Sequence, residues 1–252
     1  MQAVLYICHG SRVKEACEQA RFFVSQAMAD IDVPIQEVCF LELAEPSIEA
    51  GLRACVERGA TRVAAVPILL LTAAHAKEDI PNELAEVKQN YPDVTLTYGE
   101  PFGVHDEIVS ILLERIGKER IAEDAMVLLV GRGSSDPDVK RDMGNIASRL
   151  QHTYPFQKVD ICFLAAAEPS FEQGLEMALA SGHKQVFVVP YLLFTGILMK
   201  KMERTIKKLE REELILCDYL GYHPNLRKVL ATRVQEAMEG EEYVPTYATH
   251  TK

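Results

Sequence analysis

Residues 39–72 have the sequence CFLELAEPSIEAGLRACVERGATRVAAVPILLLT, and residues 162–195 have the sequence CFLAAAEPSFEQGLEMALASGHKQVFVVPYLLFT. The two segments align without a gap at an offset of 123 residues, and 17 of their 34 positions are identical. Unrelated segments of this length would agree at only about two positions, so chance does not explain the match. The chain is therefore predicted to contain one structural unit twice.

The repeat extends beyond these segments in both directions. At the same offset, HGS at residues 9–11 aligns with RGS at residues 132–134. Farther along, GVH at residues 103–105 aligns with GYH at residues 221–223 at an offset of 118, so the second copy is five residues shorter. Both copies are therefore expected to follow the same order of elements.

Short apolar runs alternate with longer segments of helical period in each copy. The runs predicted as strands are AVLYIC, EVCFLEL, RVAAVPILLL and VTLTYG in the first copy and AMVLLV, VDICFLA, QVFVVPYLLF and LILCDYL in the second. Helices of the first copy are expected to begin near Val13, Ser47, Lys77 and His105. This alternation predicts an α/β fold in which each copy forms a four-stranded parallel sheet covered by helices on both faces.

The length of 252 residues suits two compact halves. A polar, charged stretch at residues 118–124 separates the last helix of the first copy from AMVLLV. We therefore predict an N-terminal domain at residues 1–121, which carries the active site, a C-terminal degenerate repeat at 122–240, and a loose tail at 241–252.

Composition excludes several classes of function. The net charge of −10 argues against binding to nucleic acid or to anionic membranes. No basic leader precedes an apolar stretch and no apolar run is long enough to span a bilayer, so a soluble, cytoplasmic protein is expected. The six cysteines include no C-x-x-C pair, which favours reduced core residues over disulfides or a cysteine metal site.

Three polar side chains follow predicted strands of the first copy. His9 comes directly after the first strand, Glu42 lies at the end of the second, and His75 lies in the loop after the third. Ligands of open α/β sheets bind outside the carboxyl ends of the strands. Two imidazoles and a carboxylate at one sheet edge can bind a divalent metal, leave coordination positions open and accept protons.

The second copy serves as an internal control. His9 is replaced by Arg132, Glu42 by Ala165 and His75 by Leu198, whereas the Glu-Pro-Ser turns occur in both copies. A residue that one copy lacks is not needed to fold the unit, so chemistry explains the three better than structure does.

Other polar residues occur in both copies. His105 and His223 both precede a predicted helix and are interpreted as structural. Glu45 and Glu168 also match, and the pattern leaves open whether they stabilise the turn or serve function.

Four motifs resemble one known family. CHGSR at residues 8–12, FLELAEP at 40–46, PILLLTAAHAKEDIP at 67–81 and GRGSSDPDVKRD at 131–142 are similar to the sirohydrochlorin chelatases of the CbiX and SirB type, the class II chelatases. The resemblance covers nearly the whole chain and is strongest to the long, duplicated SirB form.

The resemblance implies two flavodoxin-like domains facing each other across a cleft, with a tetrapyrrole between them. It implies that His9 is a proton acceptor and metal ligand, His75 a second ligand and Glu42 an acidic helper. It also implies that Glu45 and the loop Leu70, Leu71, Thr72, Ala73, Ala74 and His75 contact the macrocycle.

The many carboxylates of sirohydrochlorin require positive charge at the site. Basic residues at or after strand ends are Arg12, Lys14, Lys77, Arg132, Lys140, Arg141, Lys200 and Lys201. Most are expected to be solvated helix charges, with two or three in contact with substrate; Arg12 and Arg132 are the candidates.

The implied activity is a sirohydrochlorin ferrochelatase of sirohaem biosynthesis, a monomer that inserts Fe2+ and holds no permanent cofactor. Cobalt insertion for cobalamin is an alternative, because the same ligands accept Co2+. Long cobalt-inserting members of the family often carry a histidine-rich or cysteine-rich extension, whereas this tail has one His and no Cys, so the resemblance favours iron. A second alternative is a non-catalytic tetrapyrrole or metal carrier, which would need the metal ligands but no base to accept pyrrole protons. A phosphate-binding interpretation of HGS and GRGSSD is disfavoured because neither matches a phosphate-loop motif.

Overall fold

A computed structural model describes residues 1–243 of the chain. The first copy of the repeat contains β1 (Gln2–Cys8), α1 (Lys14–Ala29), β2 (Ile35–Phe40), α2 (Ile48–Glu57), β3 (Arg62–Ile68), a π-helical turn (His75–Asp79), α3 (Ile80–Lys88), β4 (Thr95–Tyr98), α4 (Asp106–Ile116) and a short 3-10 turn (Lys118–Arg120). The second contains β5 (Met126–Gly131), α5 (Pro137–Thr153), β6 (Lys158–Phe163), α6 (Phe171–Ala180), β7 (Val186–Tyr191), α7 (Ile197–Leu209), β8 (Leu214–Leu216) and α8 (Pro224–Glu239). The predicted alternation of strand and helix is confirmed.

The strands of residues 1–243 form two parallel sheets of four strands each, in the orders β2-β1-β3-β4 and β6-β5-β7-β8. From β1 the chain passes to β2 on one side, then returns to place β3 on the other side of β1. The order therefore reverses between β1 and β3, and such a reversal opens a crevice at the carboxyl ends of the two strands. The same reversal occurs between β5 and β7 in the second sheet.

The central strands are apolar along their length because helices cover both faces of each sheet. Residues 3–8 of β1 are at most 3% exposed. In the first sheet Leu5 and Ile7 pack in one cluster with Ile48 and Leu52 of α2 and with Leu84 of α3. This packing fixes the strand ends from which the polar residues project.

The helix after the second strand begins in the same way in both copies. The side chain of Ser47 accepts a hydrogen bond from the backbone N–H of Ala50, and Ser170 forms a reciprocal capping pair with Gln173. The carboxylate of Glu45 accepts from the N–H of Ser47 at 3.1 Å. Glu168 does the same for Ser170 at 3.1 Å, so a turn-stabilising role holds in both copies.

All six cysteines lie within residues 1–243 and are free thiols, which agrees with the prediction of reduced residues. Five are buried and Cys17 is half-buried. Burial raises the pKa of the Cys55 and Cys162 thiols to about 12. These thiols are protonated at neutral pH and are poor metal ligands.

Contacts divide the chain into two compact units that differ from the boundaries of the repeat. The first unit comprises Met1–Arg12, Val24–Phe102 and residues 230–243; the second comprises Val13–Phe23 and Gly103–Val229. The repeat records which segments were duplicated, whereas the units record which segments make most of their contacts with one another. The domain boundaries at residues 121 and 240 therefore stay a prediction.

The end of the described chain belongs to the first unit. The guanidinium of Arg62 donates to the carbonyl oxygens of Met238 at 3.2 Å and Gly240 at 2.6 Å. The N–H of Tyr243 donates to the carbonyl of Leu96 at 2.7 Å, so the beginning of the predicted tail is attached to β4. Residues 244–252 of that tail lie outside the described residues. Among the helices at residues 1–243, none combines the length and apolarity that a bilayer span demands.

Candidate metal centre

His9, Glu42 and His75 lie at the carboxyl edge of the first sheet, at its point of strand reversal. His9 follows the last residue of β1, Glu42 lies two residues beyond β2, and His75 opens the π-helical turn after β3. One potential ligand atom of each lies within 4.8 Å of the others, and no other such group of three is found in residues 1–243. The edge predicted from the sequence therefore brings the three side chains together.

The two imidazoles face each other through one nitrogen of each ring. His9 Nε2 lies 3.0 Å from His75 Nε2, and the rings meet edge to face with centroids 4.6 Å apart. Glu42 Oε1 lies 3.6 Å from His9 Nε2. His9 is 27% exposed and Glu42 46% exposed, so the cluster is open to solvent and to an incoming ligand.

A close approach of two backbone segments places His9 against Glu42. The N–H of Glu42 donates to the carbonyl of His9 at 3.1 Å, which extends the contact of β1 with β2 past the end of both strands. Gly10 has a φ of 93°, and a Cβ there would lie 1.7 Å from the carbonyl oxygen of Glu42. Only glycine fits at this position.

A π-helical turn carries the second histidine. The N–H of Ile80 donates to the carbonyl of His75, the i to i+5 bond of a π helix. The hydroxyl of Tyr98 on β4 donates to the carbonyl of Ala76 at 2.9 Å. Burial raises the pKa of Tyr98 well above its usual value, so the hydroxyl keeps its proton and remains a donor. This hydrogen bond attaches the π-helical turn to β4 of the sheet.

The outer nitrogen of each ring contacts an acceptor. His9 Nδ1 lies 3.0 Å from the carbonyl oxygen of Gly10, and His75 Nδ1 lies 2.7 Å from Oδ2 of Asp79. Because a carbonyl or carboxylate oxygen accepts, each Nδ1 must carry the proton. In neutral rings each Nε2 then carries a lone pair, and the two lone pairs are directed at one another. A shared proton or a cation between the two nitrogens would remove their repulsion.

The separation of the two Nε2 atoms suits one metal ion. Nitrogens bound at about 2.1 Å to the same ion, at a right angle, are about 3.0 Å apart, which matches the observed 3.0 Å. Two histidines and one carboxylate are also the ligand set of ferrous sites that keep open positions. The arrangement can hold a divalent cation while leaving positions for a second ligand.

The residues predicted to contact substrate lie in both compact units. Leu70, Leu71, Thr72 and Ala73 are half-buried and Ala74 is exposed, in the loop between β3 and His75. Glu45 and Arg12 are exposed in the first unit. Arg132 is exposed in the second unit, directly after β5. Their contact with substrate stays a prediction.

Ion pairs involve several of the eight basic candidates. They are Lys14 with Glu18, Arg141 with Asp138 and Asp142, Lys200 with Glu15, and Lys201 with Glu172. The side chain of Lys14 is 91% exposed, as expected for a solvated helix charge. These pairs favour the expectation that few of the eight contact substrate.

The second copy keeps the backbone of the site without the three candidate ligands. Gly133 has a φ of 90° and a Cβ there would lie 1.8 Å from the carbonyl oxygen of Ala165. The N–H of Ala165 donates to the carbonyl of Arg132 at 2.9 Å, as that of Glu42 does to His9. Leu198 lies in α7, which begins as an ordinary α-helix at Ile197.

The two histidines that both copies share serve the helices that follow them. The ring nitrogen Nδ1 of His223 accepts from the N–H of Asn225 at 3.2 Å, and its Nε2 lies 2.8 Å from Glu114. His105 precedes α4 and lies 3.7 Å from Glu107. These contacts agree with the structural interpretation.

Three residues at the site were not singled out from the sequence. Asp79 follows His75 by four positions, a spacing that places two side chains on one helix face and was available as a signal. Tyr98 gave no signal, because its contact with Ala76 depends on tertiary structure. Leu43, beside Glu42, has a φ of 60° and is 52% exposed, which no pattern of residues indicates.

Comparison with known proteins places these features in context. The CbiX family matches residues 3–119 and 126–237. The sirohydrochlorin ferrochelatase of Priestia megaterium is 54% identical over 249 residues, which cover 96% of this chain and 94% of the relative. The sirohydrochlorin cobaltochelatase of the same organism is 39% identical over 251 residues, covering 96% and 81%. The structure of SirB from Bacillus subtilis with Fe3+ has a TM-score of 0.86 and 46% identity and covers 94% of this chain and 95% of SirB.

Proposed function

The chain belongs to the CbiX family, and from this membership and the geometry of its site we propose that it is a sirohydrochlorin ferrochelatase, which inserts Fe2+ into sirohydrochlorin to form sirohaem. The observation that carries the proposal is the convergence of His9, Glu42 and His75 at the strand reversal of one sheet. Their ligand atoms suit an exchangeable cation.

Insertion requires that a metal lose water and that the macrocycle lose two protons. His9 and His75 bind the ion through Nε2 and Glu42 through a carboxylate oxygen. Three protein ligands leave open positions, so pyrrole nitrogens can enter before the protein ligands depart. A site of four strong ligands would instead retain the ion.

The same lone pair serves twice in this mechanism. As the ion passes to the ring, His9 Nε2 loses its metal bond and becomes free to accept a pyrrole proton. The N–H bond breaks with its electron pair left on the pyrrole nitrogen, and that pair binds the metal. His9 releases this proton to solvent and then accepts the second pyrrole proton in the same way. Two protons leave as one divalent cation enters, so the charge of the macrocycle is unchanged and no redox partner is needed. Glu42, 3.6 Å from His9 Nε2, stabilises the imidazolium that forms.

The substrate is contacted by further residues of the chain. Arg12 and Arg132 bind peripheral carboxylates of sirohydrochlorin. Glu45 and the loop at residues 70–74 contact the macrocycle. Leu43, whose exposed apolar side chain is adjacent to Glu42 in sequence, offers a surface for the flat ring. The protein acts as a monomer in the cytoplasm, with no permanently bound cofactor.

Iron is favoured over cobalt by the relatives. The relative at 54% identity is a ferrochelatase, and the cobaltochelatase is 39% identical. The ligand set itself accepts either ion, because affinity for most sites rises from Fe2+ to Co2+. Discrimination is therefore expected to be modest in the test tube.

Anaerobic absorption spectroscopy tests the proposal. The protein at catalytic concentration should convert many equivalents of sirohydrochlorin and Fe2+ to sirohaem, faster than the spontaneous reaction. A spectral change that stops at one equivalent of pigment per chain would identify a carrier and refute the enzyme. A parallel assay with Co2+ measures the metal preference, and acceleration of cobalt insertion alone would refute the assignment to iron.

A further inference from the structure

The carboxylate of Asp79 contacts His75 through the ring nitrogen that faces away from His9. Asp79 Oδ2 lies 2.7 Å from Nδ1 of His75, while Nε2 of the same ring lies 3.0 Å from His9. The histidine therefore bridges an acceptor and the proposed metal position. Asp79 itself is 51% exposed, too far into solvent to be required for the core.

An ordinary pair of helix side chains would explain the distance alone. A histidine and an acid four positions apart often meet on a helix surface, and such exposed pairs contribute about 0.3 to 0.5 kcal/mol. Here the pair lies on a π-helical turn whose carbonyl at Ala76 is held by Tyr98, not on a regular helix. The turn adds a residue to the helix and so sets how Asp79 and His75 are placed relative to each other.

The hydrogen bond decides which nitrogen of His75 can bind metal. A neutral imidazole has one N–H and one lone pair, and the acceptor on one nitrogen selects the tautomer. With Asp79 accepting from Nδ1–H, the lone pair lies on Nε2, next to His9. Without it, the ring is free to rotate and to place a proton on Nε2, which blocks coordination.

The second copy lacks the whole arrangement. Its counterpart of His75 is Leu198, and the residues at the level of Asp79 are Lys201 and Met202. Lys201 pairs with Glu172 and Met202 is fully buried in the second core. By the register of the sheets, Tyr98 corresponds to Leu216, which has no hydroxyl. The acid, the turn and the tyrosine therefore occur only where the histidine does.

We propose that Asp79 is a positioning residue, which holds His75 in the Nδ1–H tautomer and in the orientation that directs Nε2 at the metal. This role rests on the proposed function for the identity of the substrate, but its consequences for metal binding are independent of turnover. Hydrogen-bond partners of metal-binding histidines commonly change metal affinity by about 10- to 100-fold.

Equilibrium titration of the full chain with Co2+, without tetrapyrrole, measures the effect. Asp79→Ala should weaken Co2+ binding by about 10- to 100-fold. Asp79→Asn keeps a side-chain oxygen that can accept from Nδ1–H and should restore affinity to within about fivefold of wild type. Glu78→Ala removes the same charge from the neighbouring exposed position and should bind Co2+ as wild type does.

Nitrogen-15 NMR of the histidine rings in the metal-free protein supplies a second readout. His75 should be the Nδ1–H tautomer in wild type and Asp79→Asn, and should shift toward Nε2–H in Asp79→Ala. An unchanged tautomer, or equal losses of affinity in Asp79→Ala and Glu78→Ala, would overturn the proposal. These outcomes do not depend on whether the wild type inserts iron, so failure of the positioning role and failure of the proposed reaction are separable.

Discussion

The two copies of the repeat share a backbone and differ in what it carries. Both sheets have the same strand order, both place a glycine of positive φ after the first strand, and both cap the helix after the second strand with serine. In the first copy that backbone presents two imidazoles and a carboxylate, whereas the second presents Arg132, Ala165 and Leu198. The scaffold alone therefore does not make a metal site.

A second difference between the copies lies in the backbone after the third strand. After β3 the chain makes a π-helical turn, whereas after β7 it enters α7 directly. The candidate ligand His75 is thus accompanied by a change of backbone, whereas the candidate ligands His9 and Glu42 differ from the second copy only in their side chains. This contrast predicts that the first copy can be disabled in several ways, whereas the second cannot be activated by side chains alone.

Removal of a ligand gives the largest expected effect. His9→Ala and His75→Ala should each weaken Co2+ binding by more than about 100-fold, because the hydrogen-bond partners of such ligands are already worth about 10- to 100-fold. Insertion of Fe2+ should fall to the spontaneous rate. The measurements are Co2+ titration and anaerobic turnover, with circular dichroism to show that the variants fold.

Leu198→Ala is the matched control for His75→Ala. The side chain is half-buried, so its truncation costs stability but should leave Co2+ affinity within about threefold of wild type. Arg132→Ala should likewise leave Co2+ affinity unchanged. Equal damage from changes in the second copy would show that the active half is wrongly assigned.

Gly10 and Gly133 occupy equivalent positions in the two copies, so their variants distinguish a loss of folding stability from a loss of metal affinity. Gly10→Ala and Gly133→Ala each force a Cβ against a carbonyl oxygen, at 1.7 Å and 1.8 Å. Each should destabilise the protein by about 2 to 4 kcal/mol in urea unfolding. Only Gly10→Ala should also weaken Co2+ binding, by about tenfold or more, because His9 and Glu42 must move apart. Similar losses of affinity in both variants would indicate that the backbone contact acts only through stability.

Much of the fold, and the grouping of the three candidate ligands, was predictable from the sequence. Apolar runs of strand length identified all eight strands of residues 1–243, and the repeat showed which polar residues the scaffold does not require. The predicted strands at residues 37–43, 62–71, 159–165, 185–194 and 214–220 extended too far, because the apolar runs continue into the loops that follow β2, β3, β6, β7 and β8. Leucines in the loops after β2, β3 and β7 are half-buried or exposed.

Other features of the site depend on contacts that no local pattern records. The π-helical turn is stabilised by a hydroxyl on β4, 22 residues away from the carbonyl that it contacts. Leu43 has a positive φ although leucine disfavours it, because Glu42 is held against His9 by backbone hydrogen bonding. Packing also determines which segments belong to which compact unit, and the repeat does not encode this assignment.

Removal of the Tyr98 hydroxyl tests how much the π-helical turn contributes to Co2+ affinity, and its expected effect is smaller than those above. Tyr98→Phe leaves the ring packing intact but removes the donor to the carbonyl of Ala76. We expect a loss of stability of about 1 kcal/mol. Co2+ affinity should fall by about three- to tenfold as His75 becomes less well held. Thermal unfolding and Co2+ titration provide the two values, and unchanged affinity would mean that the turn keeps its shape without the hydroxyl.

The smallest expected effect comes from an attempt to rebuild the site in the second copy. Arg132→His, Ala165→Glu and Leu198→His supply the three ligands at the matching positions, in a background in which His9→Ala and His75→Ala silence the first copy. Arg132 and Ala165 are exposed and Leu198 is half-buried, so these changes should be tolerated. Yet the second copy has an α-helix at Leu198, no carboxylate at the level of Asp79 and Leu216 in place of Tyr98. We therefore expect no measurable gain in Co2+ binding over the background. Recovery of tight binding at one ion per chain would show instead that three ligands at the strand ends suffice, and that the turn, the acid and the tyrosine are dispensable.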